Sequence, residues 1–405
     1  MTFEAAAAGA DGPLDGLLVA DFSRVLAGPY CTMLLADLGA DVVKVEGPLG
    51  DDTRHWMPPT TPEGDSTYFL SVNRNKRSIA LDFSDPADLA VAVELTTRAD
   101  VVVQNFRPGA LARFGLDEPS VRARNPSVLY AGISGFGSGA GAALGGYDLA
   151  VQAMSGMMDL TGSPDGPGYR AGVAVFDVIA GLHTAIGILA ALAHRQRTGE
   201  GQHIETNLLS SALSGLVNQT SAYLSGGVVP HRAGNAHPSI HPYEPFPTAD
   251  GEIVVIAGND TQFTRLCELL GDPGLADDRR FARNADRTAN RDALTPRLRE
   301  LLAARTAAEW FTLLTDAGVP CAPLNTVADG LAYADRLGLV PVVELTDPAG
   351  DGRRTVRTAA NPIGLSATPV SYRRPPPTLD GDADELRRWL APGGGDNGID
   401  GMPHS

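Results

Sequence analysis

The chain has 405 residues, of which 43% are hydrophobic and 20% charged, an ordinary globular composition with enough apolar residues for a sizeable core and enough length for two domains. Its formal net charge of −16 argues against a nucleic-acid partner, which needs clustered Lys and Arg, but leaves room for one local basic pocket.

The opening MTFEAAAAGADG has no basic region followed by a long apolar run, so no signal peptide is expected. Residues 1–12 and the tail GGGDNGIDGMPHS at 393–405 read as disordered. Cys31, Cys267 and Cys321 are far apart and fit no disulfide framework or zinc spacing, consistent with a reducing, cytoplasmic setting. GLLVADFS reads as a buried strand, AGPYCTMLLADLGA as a helix closed by Gly39, and DVVKVE as the next strand. RSIALDF, DPADLAVAVELTTRAD and VVVQNF repeat the strand–helix–strand order, and NPSVLYAGISGFG adds a further strand. Such alternation implies an α/β fold with a parallel sheet between two helical layers. The first β–α–β unit ends at Glu46, an acidic residue spaced as in dinucleotide folds. The turn SRVLAGPY lacks G-x-G-x-x-G, which argues against a nicotinamide dehydrogenase. NRNKR at 73–77 reads as a solvated basic turn able to steer an anionic substrate.

GVAVFDVIAGLHTAIGILAALAHR, from Gly172, holds the most informative residue. Ile179, Leu182, Ile186, Leu189 and Ala193 step by three and four, one face of a helix. Arg195 and Arg197 fall near its end, and Gly199 is placed to cap it. Asp177, His183 and several glycines interrupt the stretch, which argues against a membrane span. His183 reads as a packed or hydrogen-bonded side chain. Asp177 falls at the N-cap or first turn. There it can cap the helix, and it can equally act as a nucleophile, since an ionised carboxylate in a dry site attacks carbonyls. The helix terminus favours its ionised form and the apolar neighbours oppose it.

A Gly-, Pro- and His-rich linker follows around 226–250. PFPTADGEIVVIAG then reads as a hairpin, and helical patterns run over 260–270, 286–304 and 306–317, giving a smaller α+β domain at about 236–330. His237 and His241 stand at i, i+4, but Pro238 and Pro242 disfavour a helix and no third ligand appears, so no metal is expected. Short strand signals return from Val340, and residues 340–390 are expected to pack back on a large domain at 13–225.

Several stretches in chain order resemble family III coenzyme A transferases, the formyl-CoA and carnitine CoA transferase family. They are PLDGLLVADFSRVLAGPYCTMLLADLGADVVKVEGPLGDDTRHW, YFLSVNRNKRSIALDF, VVVQNFRPGALARFGL, GGYDLAVQAMSGMMDLTG, RQRTGEGQHIETNLL, GNAHPSIHPYEPFPTADG, AGNDTQF and AGVPCAPLN. The resemblance covers roughly residues 13–380. DDTRHW, STYFLSVNRNKRSIA and NLLSS look most like the branch that moves coenzyme A between dicarboxylates, the succinate–hydroxymethylglutarate type.

That resemblance implies a Rossmann-like large domain with an inserted smaller α+β domain, and an interlocked homodimer. It implies an acyl-CoA and a carboxylic acid as substrates, with no metal and no cofactor. It makes Asp177, five residues after Gly172, the nucleophile, carrying a mixed anhydride and then an aspartyl-CoA thioester. It places Val25 and Ala27 at the nucleotide, Leu81, Asn105 and Phe106 at later strand ends, and Arg113 on the phosphates. Tyr147, in Gly146-Tyr147-Asp148, joins this coenzyme A-binding set. Ala257–Asp260 matches a mobile glycine-containing loop of the family. For the distal carboxylate of a substrate such as succinyl-CoA, Arg54, Arg107 and Arg170 remain open. The racemase branch has a histidine where Tyr147 stands, and a tyrosine suits that base role poorly. A non-catalytic acyl-CoA-binding module would not need Asp177.

Overall fold

The computed structural model describes residues 12–346 and 354–391. The tails expected at 1–12 and 393–405 lie, Gly12 apart, outside the described residues. The described residues form two compact units: 12–155, 172–221, 334–346 and 354–391 make the first, and 156–171 with 222–333 the second. Residues 156–171, read from sequence as part of the large domain, sort with the second unit. There Asp159 pairs with His231 and Arg232, and Gly234 N–H donates to the Gly162 carbonyl.

The first unit is built on β1 (Leu18–Asp21), β2 (Asp41–Glu46), β3 (Lys76–Ala80), β4 (Val101–Gln104), β5 (Leu129–Ser134) and β6 (Gln202–Asn207). They lie in the order β3-β2-β1-β4-β5-β6, with every pairing parallel. Successive strand residues feed opposite layers. Val42, Val101 and Val103 join the core with Cys31, Leu35, Ile188 and Leu192, from the helices Ala27–Asp37 and Val175–Thr198. Val43, Val102 and Ile79 join the other core with Leu95, Val121 and Leu386. The strand order reverses direction between β1 and β4. In open sheets of this type the loops leaving that point splay apart and leave a crevice at the carboxyl ends of the strands.

Among the described residues, Val175–Thr198 is the one helix long and apolar enough to cross a membrane. In the fold it packs on the helix Ala27–Asp37 and beside β5 and β6. Leu182, Ile186 and Leu189 of this helix stay exposed. His183 bonds Ser211 at 3.1 Å.

NRNKR departs from its expected role, because the run is buried rather than solvated. Arg74, Lys76 and Arg77 are each 5% exposed or less. Arg74 binds Asp37 at 2.6 Å, Lys76 binds Asp21 at 3.1 Å, and Arg77 pairs with Asp41 and Glu385. Burying these cations demands partners, and acids placed in otherwise apolar elements supply them. Asp37 also accepts from Asn75 at 2.8 Å and from Asn361 at 3.0 Å. Ser371 N–H donates to the Asp37 carbonyl, and the Arg373 guanidinium donates to the Ala36 and Ala40 carbonyls. The segment after 354 is thereby tied onto the first unit, as is the helix Ala383–Leu390 through Leu386.

The second unit holds an antiparallel sheet of β7 (Tyr243–Pro247), β8 (Glu252–Ile256) and β9 (Cys321–Pro323). The helices Asp260–Leu269, Arg291–Leu302 and Ala307–Asp316 close over Phe246, Phe263 and Trp310. His237 and His241 face different partners. The first accepts from Ser239 N–H, and the buried second lies between Glu244 and Thr295. The loop Ala257–Asp260 is held at each residue: Ala257 N–H donates to Pro242, Gly258 N–H to Gln262, Asn259 caps the next helix, and Asp260 pairs with the fully buried Arg287 at 2.9 Å. β10 (Val342–Thr346) and β11 (Thr355–Ala359) pair antiparallel in the first unit.

Candidate active site

The crevice predicted by the strand order is present. Its walls are the turn after β1 (Arg24 to Ala27), the loop after β4 (Asn105 to Pro108) and the glycine-rich loop after β5 (Gly135 to Tyr147). Asp177 lines it from the first turn of its helix. The two loops flanking the switch point are clasped together. Arg24 N–H donates to Asn105 Oδ1 at 2.9 Å, and Asn105 Nδ2 donates back to the Arg24 carbonyl at 2.7 Å. The third wall needs glycine at both ends: a Cβ at Gly135 would lie 2.3 Å from the Gly146 Cα.

Asp177 does not cap its helix, which corrects the capping alternative. The N-cap residue is Ala174, with no side-chain bond of its own. The capping oxygen comes from Asp148, whose Oδ1 accepts from Phe176 N–H at 2.8 Å and Asp177 N–H at 3.3 Å. Asp148 is buried, and its other oxygen accepts from Gln152 at 2.5 Å. This division of labour leaves the Asp177 carboxyl free to face the crevice. Burial and the neighbouring Asp148 charge push its pKa up to about 7. The opposing pull of the helix terminus, invoked from sequence, does not prevail. Tyr68 packs in the same cluster as Ala174 and Val178. Burial first, then the charges of Asp177 and Asp148, push its phenol up to about 12, so it remains an O–H donor beside the carboxyl.

Of the residues singled out from sequence, the crevice brings together Asp177, Val25, Ala27, Asn105, Phe106 and Tyr147. Leu81 is not in its lining; it is a core residue, 2% exposed. Arg113 lies outside it too, exposed on a 3-10 turn with its guanidinium over Phe114. Among the three arginines left open, Arg54 is spent on structure. It binds Glu46 through two nitrogens at 2.8 and 2.7 Å and stacks 3.6 Å from the Phe69 ring. The same contacts occupy Glu46, the acid a nicotinamide reading would have used. Arg170 belongs to the second unit. Arg107 lines the crevice and is exposed. The capping role of Asp148, the presence of Tyr68 near the site and the Gly135–Gly146 contact were not read from sequence. Only the glycine-dense GFGSGAGAALGG offered a signal.

Chemically, a half-buried carboxyl with an elevated pKa is a stronger nucleophile once ionised than an exposed one. Arg24 and Arg107 supply positive charge at the crevice, although Arg24 already pairs with Asp52. The described lining residues contain no histidine or lysine to serve as a second base.

The chain is similar to known proteins over most of its length. The sequence profile of CoA-transferase family III matches residues 14–383. The succinate–glutarate CoA-transferase of Agrobacterium fabrum is 43% identical over 379 residues, covering 91% of this chain and 93% of that protein. The acetyl-CoA:oxalate CoA-transferase of Acetobacter aceti is 40% identical, covering 94% and 96%. The crystal structure of a CAIB/BAIF family protein from Brucella suis superposes with a TM-score of 0.84 at 42% identity, covering 94% of this chain and all of that one. The chain belongs to CoA-transferase family III.

Proposed function

We propose that this enzyme moves coenzyme A from a dicarboxylyl-CoA, with succinyl-CoA as the donor, to a second carboxylic acid, with Asp177 as the covalent carrier. The observation that carries the reading is a free, half-buried carboxyl at the carboxyl end of a parallel sheet, its helix capped by another residue. The ionised Asp177 oxygen attacks the thioester carbonyl and the C–S bond breaks, giving a mixed anhydride and the coenzyme A thiolate. That thiolate attacks the Asp177 acyl carbon and releases the donor acid, leaving an aspartyl-CoA thioester. The acceptor carboxylate attacks the thioester and frees the thiolate again. The thiolate then takes the acceptor acyl group and regenerates Asp177. The thioester enters as substrate, and no step calls for a metal or redox cofactor.

The relatives named above act on different acids at nearly equal identity, so relatedness does not choose the acceptor. Arg107 is the crevice cation whose side chain is best placed for an anionic portion of the substrate, a phosphate or a distal carboxylate. The exposed apolar residues Leu182, Ile186 and Leu189 support a homodimer. The three free cysteines support a reducing, cytoplasmic setting.

Purified protein supplied with succinyl-CoA and a panel of carboxylic acids should release succinate and form a new acyl-CoA with at least one dicarboxylate. The same preparation should scatter light at twice the chain mass. Borohydride or hydroxylamine added mid-turnover should modify the Asp177 peptide, seen by mass spectrometry. An active enzyme whose Asp177 peptide is never modified would refute the carrier role. For pH, log kcat/KM for the acyl-CoA should rise with unit slope and level off near pH 7, because only the ionised carboxyl attacks. A profile flat from about pH 5 to 8 would show that the carboxyl in the free enzyme is not perturbed.

A further inference from the structure

The turn after β1 contains a strained residue. Val25, β-branched, sits at φ +69°, a region such side chains almost never occupy. Strain of this kind persists only where the surroundings over-determine it, and it gathers at functional sites. Here the clamp is visible. Val25 N–H donates to both oxygens of Asp51, at 3.3 and 3.2 Å. Two residues earlier, the Ser23 carbonyl accepts from Lys44 Nζ at 3.0 Å, and the same ammonium binds Asp51 at 2.9 Å. Arg24, between them, is clasped by Asn105. Lys44 and Asp51 are both buried. The Thr53 N–H and hydroxyl and the Asp51 N–H bond to Glu46 fix Asp51 further. Val25 itself lines the crevice, and it packs against the cluster of Leu26, Met33 and Val72 that Ala174 and Val178, at the start of the Asp177 helix, also pack against.

We infer that the buried Lys44–Asp51 pair positions the acyl-CoA by holding the Val25 turn in its strained conformation against the Asp177 helix. Neither residue touches the crevice; both act through Val25 as positioning residues. The inference rests on the reading of this crevice as the acyl-CoA site. Its distinctive consequence is that the need for Asp51 disappears when the strain does, because glycine adopts φ +69° freely.

Asp51→Asn should raise the acyl-CoA KM about tenfold, with kcat and the acceptor KM changed less than about threefold. Val25→Gly added to Asp51→Asn should bring the acyl-CoA KM back to within about threefold of wild type. A double variant as impaired as Asp51→Asn would overturn the inference, as would an Asp51→Asn enzyme that loses thermal stability with KM unmoved. If Asp51→Asn does not fold, Lys44→Met is added to both variants so that no buried ammonium is left unpaired: an acyl-CoA KM that Val25→Gly still restores supports the clamp, and one that it leaves raised overturns it. Arg107→Ala separates the two layers, since Arg107 lines the crevice from the loop after β4 and has no part in the Lys44–Asp51 bonds to the turn. Raised KM in Arg107→Ala beside an unmoved Asp51→Asn removes the clamp alone. Unmoved KM in both removes the crevice reading with it.

Discussion

Asp177→Asn should abolish coenzyme A exchange, by about 10⁴-fold or more, as expected when a covalent nucleophile is removed. It should also make the protein more stable above pH 7. The carboxyl titrates near 7 in the fold and near the ordinary 3.8 when unfolded. The native state therefore holds a proton that the unfolded chain has already lost, and stability falls as pH rises between those values. Above about pH 7 the full penalty of a half-buried charge beside Asp148 is present. Asparagine removes it. Its bonds through the backbone N–H to Asp148 are untouched, so no capping energy is lost. Melting temperatures at pH 5 and pH 8 should show the variant's advantage widening with pH. A variant less stable than wild type at pH 8, or one that still turns over, would contradict the site as described.

Asp37→Ala should destabilise the first unit by about 3–5 kcal/mol, because it strands the buried Arg74 guanidinium. Asn75 and Asn361 lose an acceptor at the same time. Against a total stability of about 5–15 kcal/mol for an ordinary protein, little would remain. The double change Asp37→Ala with Arg74→Met should recover part of the loss, since the cost is chiefly the uncompensated charge. Urea midpoints measure both. A loss under about 1 kcal/mol for Asp37→Ala would mean that water reaches Arg74.

Five strands of the parallel sheet were legible as short runs rich in Val, Leu and Ile alternating with helical patterns, whereas β6, QHIETN, is mostly polar and was not read. Asp177 was legible as an anomaly, one acid in an apolar stretch of known period. Its partner was not, because the oxygen that caps the helix sits 28 residues upstream in Asp148, and no local period links the two. NRNKR was misread for a related reason. Charged runs are solvated by default, and the acids that bury this one, Asp21, Asp37 and Asp41, lie on other elements. A signal existed in two of those acids, Asp21 and Asp37. GLLVADFS and AGPYCTMLLADLGA each contain one aspartate among apolar residues, which asks for a buried cation somewhere in the chain. Arg54 was offered as a substrate ligand because sequence shows the charge and not the Glu46 that consumes it.

The helix start borrowed from Asp148 has one more consequence. An enzyme whose attacking side chain also held its helix together would pay in folding for every attempt to change its chemistry. In this chain, position 177 is relieved of that duty. Serine, cysteine or histidine can be installed there with the scaffold intact, which makes the crevice a tractable starting point for engineering other acyl-transfer or hydrolytic reactions on a thioester.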